Sequence, residues 1–153
     1  MNFDKKIEEL YIELQEPVYP KENFSVPAIL AGKQLFLTPQ YPYSDGRLLY
    51  KGRLGVEVSF DQGMTAARFA AIQALSVMRQ TLGSLNRVKQ ILKLRVMIAV
   101  GSDFRDHEKV ADGTSKVLED VFGKAARSVR SVTGVSSLPH QACLSVEMVV
   151  EIR

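Results

Sequence analysis

The segment from Leu144 to Ile152 has an apolar residue at every second position, and Ser145, Glu147 and Glu151 lie between them. Successive side chains of a β-strand point to opposite faces, so this alternation predicts a strand that buries one face. Ser145 and Glu147 then share the other face. A sheet that buries one face needs a second layer packed on that face, which limits the architectures open to this chain.

Three amphipathic segments can supply that layer. Ser59 followed by Gln62 predicts a capping box at the start of a long helix, and Gly83 suits the C-terminal end of that helix. Apolar residues at helical spacing predict a second long helix that stops at Gly123. The same spacing predicts a short N-terminal helix over residues 3–14.

The remaining apolar runs have the length and composition of strands. They cover residues 24–30, 34–38, 88–100, 128–135 and 141–152, and one more extended piece falls within 48–58. The order of elements predicts an α+β sandwich, with a mixed sheet and the two long helices on one face. We expect one domain over residues 1–153, with an N-terminal helix and extension at 1–22.

Composition narrows the classes of function. The net charge of +3 comes from basic residues spread along the chain, which argues against a nucleic-acid partner. Neither histidine has a partner at metal-ligand spacing and no glycine-rich phosphate loop is visible, so no metal or cofactor is expected. The single cysteine, Cys143, is expected to be a buried, inert thiol. Without a signal peptide or a run of membrane-spanning length, we expect a cytoplasmic protein with no membrane partner.

Two charged residues stand inside apolar strand segments. Arg130 lies in the next-to-last predicted strand and Glu147 in the last. An arginine can hold a carboxylate with paired hydrogen bonds, and a glutamate can position or activate a water. Together they suggest a pocket for a small organic acid. The alternative is that both side chains face solvent or pair with each other.

Several short segments resemble the reactive-intermediate deaminase A family, also called the RidA or YjgF family. The similarity runs from Asn23 to Ile152. Its most specific part is the succession Arg-Ser, Leu-Pro and Val-Glu at residues 130–131, 138–139 and 146–147, with supporting segments at 35–40 and 66–68. Segments 50–55, 112–115 and 121–123 resemble a longer branch of the family that carries the label endoribonuclease L-PSP.

The resemblance implies a chorismate-mutase-like α+β fold that assembles as a homotrimer, with three clefts between subunits. The best-known family members hydrolyse enamines and imines, formed from amino acids, to 2-oxo acids and ammonia, and they use no cofactor. The family arginine that binds the substrate carboxylate falls on Arg130. The other pocket positions fall on Phe24, Thr38, Pro39, Gln40, Asp112, Val132 and Ser145.

Four parts of the pocket depart from the family pattern. Of two glutamates in the last strand, the first, which orients the water, is replaced by Ser145, so Glu147 is the remaining catalytic candidate. A Ser-Gly-Gln turn is replaced by Thr-Pro-Gln, and Pro39 has no N–H to donate. Phe24 lacks the hydroxyl of a pocket tyrosine, and Asp112 adds a negative charge in place of an asparagine.

From these observations we expect hydrolysis of a small imine or enamine that bears a carboxylate, in a cleft between subunits. Arg130 would anchor the carboxylate and Glu147 would handle the water. A trimer that binds a small metabolite without catalysis is the alternative, which Ser145 favours. The endoribonuclease label is a third possibility, opposed by the modest charge and the lack of a histidine pair.

Overall fold

The computed structural model describes residues 2–18 and 24–153, so parts of the predicted extension, residues 1 and 19–22, lie outside the described residues. The described chain contains three α-helices and seven strands. In chain order they are α1 (Phe3–Glu9), β1 (Ala28–Ala31), β2 (Gln34–Leu37), β3 (Tyr43–Ser44), β4 (Arg47–Leu48), α2 (Phe60–Leu82), β5 (Val88–Ala99), α3 (His107–Phe122), β6 (Val129–Val135) and β7 (Leu144–Ile152).

Five strands form one mixed sheet in the order β1-β2-β7-β5-β6. β5 and β6 run parallel, and the other neighbouring pairs are antiparallel. α2 packs against β7 and α3 against β6, while the lysine and arginine at 93 and 95 are exposed on the other face of β5. The predicted α+β sandwich is therefore confirmed, with one covered and one open face of the sheet.

Burial along β7 follows the predicted alternation. Leu144, Val146 and Met148 are at most 1% exposed and face the helices, whereas Glu147 is partly exposed on the open face. Ser145 belongs to the open face by position, yet it is only 5% exposed. The strand thus has one fully packed face, and one face on which small and charged groups lie side by side.

The two long helices begin and pack as their sequences predict. The Ser59 hydroxyl accepts from the Gln62 N–H, and the Gln62 side chain accepts from the Ser59 N–H, so the capping box is formed. Gly113 of α3 lies so near α2 that a Cβ there would stand 2.8 Å from a backbone oxygen. Beside it, the Thr114 hydroxyl donates to the Ala67 carbonyl at 2.6 Å. None of the helices in the described residues is long and apolar enough to cross a membrane.

The N-terminal helix is shorter than the predicted 3–14. It stops early because Tyr11 adopts a φ of 55°, a left-handed conformation that does not continue a helix. Within the helix, the buried Phe3 ring meets the Phe122 ring edge-on at 4.9 Å between centroids. α1 therefore covers the C-terminal end of α3.

The predicted hairpin forms, but its first strand begins at Ala28 rather than at residue 24. Pro27 has no N–H for the strand ladder, so regular pairing ends beside it. Its carbonyl still accepts from the Thr38 N–H at 2.9 Å. Phe24 lies before this point and is fully exposed.

Residues 48–58 do not supply a further strand of the main sheet. Only Leu48 belongs to a strand, in the two-residue ribbon of β3 and β4. The buried Leu54 is instead held across the end of β5. Its N–H donates to the Ala99 carbonyl at 2.8 Å, and its carbonyl accepts from the Gly101 N–H at 2.9 Å. This segment becomes a loop that lies over one end of the sheet.

Candidate active site

Arg130 leaves edge strand β6 on the face covered by the helices and meets α3. Its Nη1 donates to Asp112 Oδ1 at 2.9 Å and to Ser115 Oγ at 3.0 Å, and its Nη2 donates to Glu108 Oε2 at 2.5 Å. Burial alone would lower the pKa of Arg130, but the hydrogen bonds to Asp112 and Glu108 outweigh it and raise that pKa. The guanidinium is therefore charged and held in one orientation.

Two carboxylates surround this one cation, so the cluster of Arg130, Glu108 and Asp112 carries a net negative charge. The side chain of Arg130 is 24% exposed, whereas that of Glu108 is 72% exposed. The sequence suggested an arginine open to a ligand carboxylate, but the arginine already has acidic partners. Glu108, as the more exposed partner, is the easier one to displace.

These partners lie on one stripe of α3, because residues 108, 112 and 115 follow helical spacing. Asp112 is among the positions predicted from the sequence, whereas Glu108 and Ser115 are not. A polar stripe along an amphipathic helix, facing a strand that contains an arginine, is the signal that would have found them.

Glu147 lies on the open face of the sheet. It is paired with Arg95 of β5, and both residues line a cavity of about 280 Å³ together with Lys93 and Phe36. Among the described residues, no ion pair within 4.0 Å joins Glu147 to either basic neighbour. A partly exposed carboxylate outside any ion pair can contact a water and act as a base toward it.

Arg130 and Glu147 do not meet within one copy of the chain. Leu94 of β5 pairs with Arg130 on one side and with Met148 on the other, and both Leu94 and Met148 are buried under the helices. Paired residues of neighbouring strands project to the same face, so Arg130 shares the covered face. Glu147, next to Met148, points the opposite way. Pairing of the two charges with each other is therefore excluded within one copy.

Ser145 and Gln40 lie near Glu147. Gln40 is bridged to Val146 by two backbone hydrogen bonds of 2.7 and 2.9 Å, and its side chain donates to the Thr38 carbonyl at 2.9 Å. The side-chain amide of Gln40 is thus hydrogen-bonded within its own turn. Ser145 shares the face of Glu147, as predicted.

The remaining candidate residues lie in different parts of the structure. Val132 is partly buried on the covered face, two positions after Arg130. Pro39 is exposed in the turn beside β7. Phe24 is fully exposed. The structure thus brings together one group around Arg130 and another around Glu147.

The buried thiol is not a nucleophile at neutral pH. Burial raises the pKa of Cys143 from 9.0 to about 11. The two histidines have separate neighbours: His107 contacts the Phe104 ring and His140 contacts the Tyr41 ring. Within residues 2–18 and 24–153, no three His, Cys, Asp or Glu side chains are grouped to hold a metal ion.

Comparison with known proteins identifies the fold and the family. Residues 8–152 match the family model described as "YjgF/chorismate mutase-like, putative endoribonuclease". Protein TCP17 of Trypanosoma cruzi is 34% identical over 147 residues, which cover 95% of this chain and 91% of that protein.

Solved structures agree with this match. A crystal structure described as a putative endoribonuclease from Shewanella oneidensis superposes with a TM-score of 0.94 at 30% identity, covering 99% of this chain and 100% of that one. A Rid-family protein of unknown function, YyfA from Yersinia pestis, shares the fold with a TM-score of 0.61 at 21% identity, over 90% and 93% of the two chains. The chain belongs to the YjgF/chorismate-mutase-like family.

Proposed function

We propose that this protein hydrolyses a small imine or enamine bearing a carboxylate, in a cleft between two copies of the chain. Arg130 of one copy would anchor the carboxylate, and Glu147 of the next would handle the water. The resemblance to enamine and imine deaminases, within a family whose model matches residues 8–152, supports the reaction class. The contacts of Arg130 support the anchor.

The observation that carries the proposal is the carboxylate already seated on Arg130. Asp112 and Ser115 fix one end of the guanidinium, while Glu108 occupies Nη2 at 2.5 Å. Glu108 stands where a ligand carboxylate would bind, and its exposure makes the exchange possible. Because the arginine is held by its other partners, little orientation is lost when the ligand replaces Glu108.

The sheet topology supports a cleft between copies. β6 is an edge strand, so a second copy can approach Arg130 from that side. The approaching copy would present its open sheet face, which carries Glu147, Ser145 and the turn at 38–40. Three such contacts around an axis give the homotrimer that the family resemblance implied.

The chemistry is the addition of water to a protonated imine. Glu147 accepts a proton as the water oxygen bonds to the imine carbon, and the C=N electron pair moves to nitrogen. Glu147 then returns the proton to nitrogen. The C–N bond then breaks, and its electron pair leaves with ammonia. The electron pair of the hydroxyl O–H bond forms the C=O bond, and the proton of that hydroxyl passes to solvent. Alignment of water and carbon supplies the catalysis.

The test is the release of ammonia from 2-aminoacrylate generated in place, measured above the spontaneous rate. We expect Arg130→Ala and Glu147→Gln to lower the rate at least about a hundredfold. Arg127→Ala and Glu151→Gln are matched controls, because Arg127 pairs with Glu119 and Glu151 pairs with Lys89. Equal activity in wild type and in both site variants would reject the proposal.

Ser145 favours a second candidate, a trimer that binds a small acid without catalysis. The side chain is small and buried where the family resemblance expects the water-orienting glutamate. In that case the wild type would release no ammonia, while calorimetry would detect a small carboxylate that Arg130→Ala no longer binds. The endoribonuclease description of relatives predicts instead RNA cleavage and an RNA affinity that falls steeply with salt.

A further inference from the structure

We propose that a second cavity in each copy binds a small organic anion with an apolar body. The cavity has a volume of about 320 Å³ and lies where the loop at 51–57 meets the turn at 136–142. None of its lining residues belongs to the Arg130 or Glu147 groups. The inference is therefore separate from the proposed imine hydrolysis.

The charge of the lining favours an anion. Lys51 and Arg53 line the cavity, and Glu57 is the acidic residue in the same lining. Glu57 Oε1 accepts from the Arg53 N–H at 2.9 Å and lies 3.6 Å from Arg53 Nε. The backbone hydrogen bond from Arg53 is the main cause that lowers the pKa of Glu57, so this carboxylate stays ionised and offsets Arg53. Lys51 has no acidic partner within 4.0 Å among the described residues, which leaves its charge for a ligand.

The walls of the cavity specify the rest of the ligand. Ala99, Leu138 and Ala142 supply an apolar surface, and Ser136 and Ser137 add hydroxyl groups near the basic side chains. A pocket with an apolar wall and a few convergent polar groups is typical of small-molecule sites. The matching ligand has a carboxylate or phosphate on a short apolar body.

The backbone around the cavity is held in conformations that most side chains avoid. Tyr50, His140 and Gln141 all have φ between 54° and 64°, and Gly52 has a φ of 120°. The Gly52 N–H donates to the Gln141 carbonyl at 2.9 Å, which ties the two strained segments together. A Cβ on Gly52 would stand 2.5 Å from the Cβ of Glu57. Strain clustered on one cavity is characteristic of a preformed binding site.

A neighbouring depression adds another arginine beside the cavity. Arg53 and Ser136 also line a wider depression of about 570 Å³ that reaches Arg105 and His107. Nη1 of Arg105 donates to the carbonyls of Ser102 and Phe104, so its charge is held in place without a carboxylate. Arg105 therefore adds a positive charge beside the cavity, which attracts an anion toward it.

The test is calorimetry on the full chain with benzoate, phenyl phosphate and the neutral control phenol. The titrations are run on the wild type and on Arg130→Ala, so that binding at the proposed catalytic cleft is separated from binding here. We expect one site per chain that survives Arg130→Ala, and about tenfold weaker binding of phenol. The tighter of the two anions identifies the charged group that the cavity prefers.

Variants of the lining locate the site. We expect Lys51→Ala to weaken anion binding about tenfold, and Ser137→Glu to abolish it by placing a carboxylate at the rim. Lys33→Ala is the matched control, an exposed lysine in the hairpin turn. No saturation by either anion up to about 10 mM would overturn the proposal. Wild-type affinity in both lining variants, with circular dichroism showing the native fold, would overturn it equally.

Discussion

Arg130 and Glu147 lie on strands separated only by β5, yet their side chains leave the sheet on opposite faces. Arg130 is held by an acidic stripe of α3, and Glu147 stands beside Arg95 on the open face. A reaction that uses both residues therefore requires two copies of the chain.

Glu108→Ala should strengthen binding of small carboxylates. The substitution removes the carboxylate that competes for Nη2 of Arg130, and we expect a Kd about two- to fivefold lower at low salt. The measurement is calorimetric titration with the 2-oxo acid product. Glu119→Ala is the control, because Glu119 lies on the same helix and pairs with Arg127 at 3.2 Å. Weaker binding in Glu108→Ala would show that Glu108 does not compete with the ligand.

Ser145→Glu should raise deaminase activity and lower stability. It restores the water-orienting carboxylate of the family pattern, so we expect ammonia release to rise about tenfold or more. Ser145 is 5% exposed, and burying a carboxylate there costs free energy and raises its pKa. The gain in rate should therefore grow as pH rises, and the Tm of the variant should be lower than that of the wild type. An unchanged rate would mean that Pro39 and Phe24 limit the site.

The Cys143 thiol should be almost unreactive at neutral pH. With its pKa raised to about 11 by burial, only about 0.1% is thiolate at pH 8, and the sulfur is also shielded. We expect reaction with a disulfide reagent to be far slower than that of a free cysteine, and to accelerate in denaturant. Rapid labelling of the native protein would contradict the burial of this strand end.

Phe3→Ala should destabilise the fold. Its ring is 4% exposed and packs edge-on against Phe122, so we expect the free energy of unfolding to fall by about 3 kcal/mol. Urea denaturation measures the change. Tyr11→Ala is the matched aromatic control, since Tyr11 is 95% exposed and should cost little. Equal losses in both variants would mean that α1 does not stabilise α3.

Much of the fold could be predicted because its signals are local. The alternation in β7 and the capping box at Ser59 depend on residues a few positions apart. The orientation of Arg130 could not be predicted in the same way. In β6 the partly or fully exposed valines at 129, 132 and 135 recur every three residues, which fits no period-two pattern. The face that Arg130 occupies is set by its register with β5, a contact distant in sequence.

The candidate site, too, could be predicted only where its signals are local in sequence. Short motifs identified Arg130, Glu147 and Asp112, but spacing along the chain does not say which side chains neutralise one another. Glu108 reaches Arg130 only because α3 lies across β6. The cavity at 51–57 depends in turn on the loop folding over the end of β5, which the sequence suggested only as an extended piece.

The central claim, that each active cleft combines two copies, is tested most directly by mixing inactive variants. Arg130→Ala and Glu147→Gln are co-expressed in equal amounts, and ammonia release by the mixed assembly is compared with that of each variant alone. If a cleft takes Arg130 from one copy and Glu147 from the next, about one quarter of the clefts contain both intact residues. We predict recovery of about one quarter of the wild-type rate, whereas a mixture as inactive as either variant alone would contradict the account.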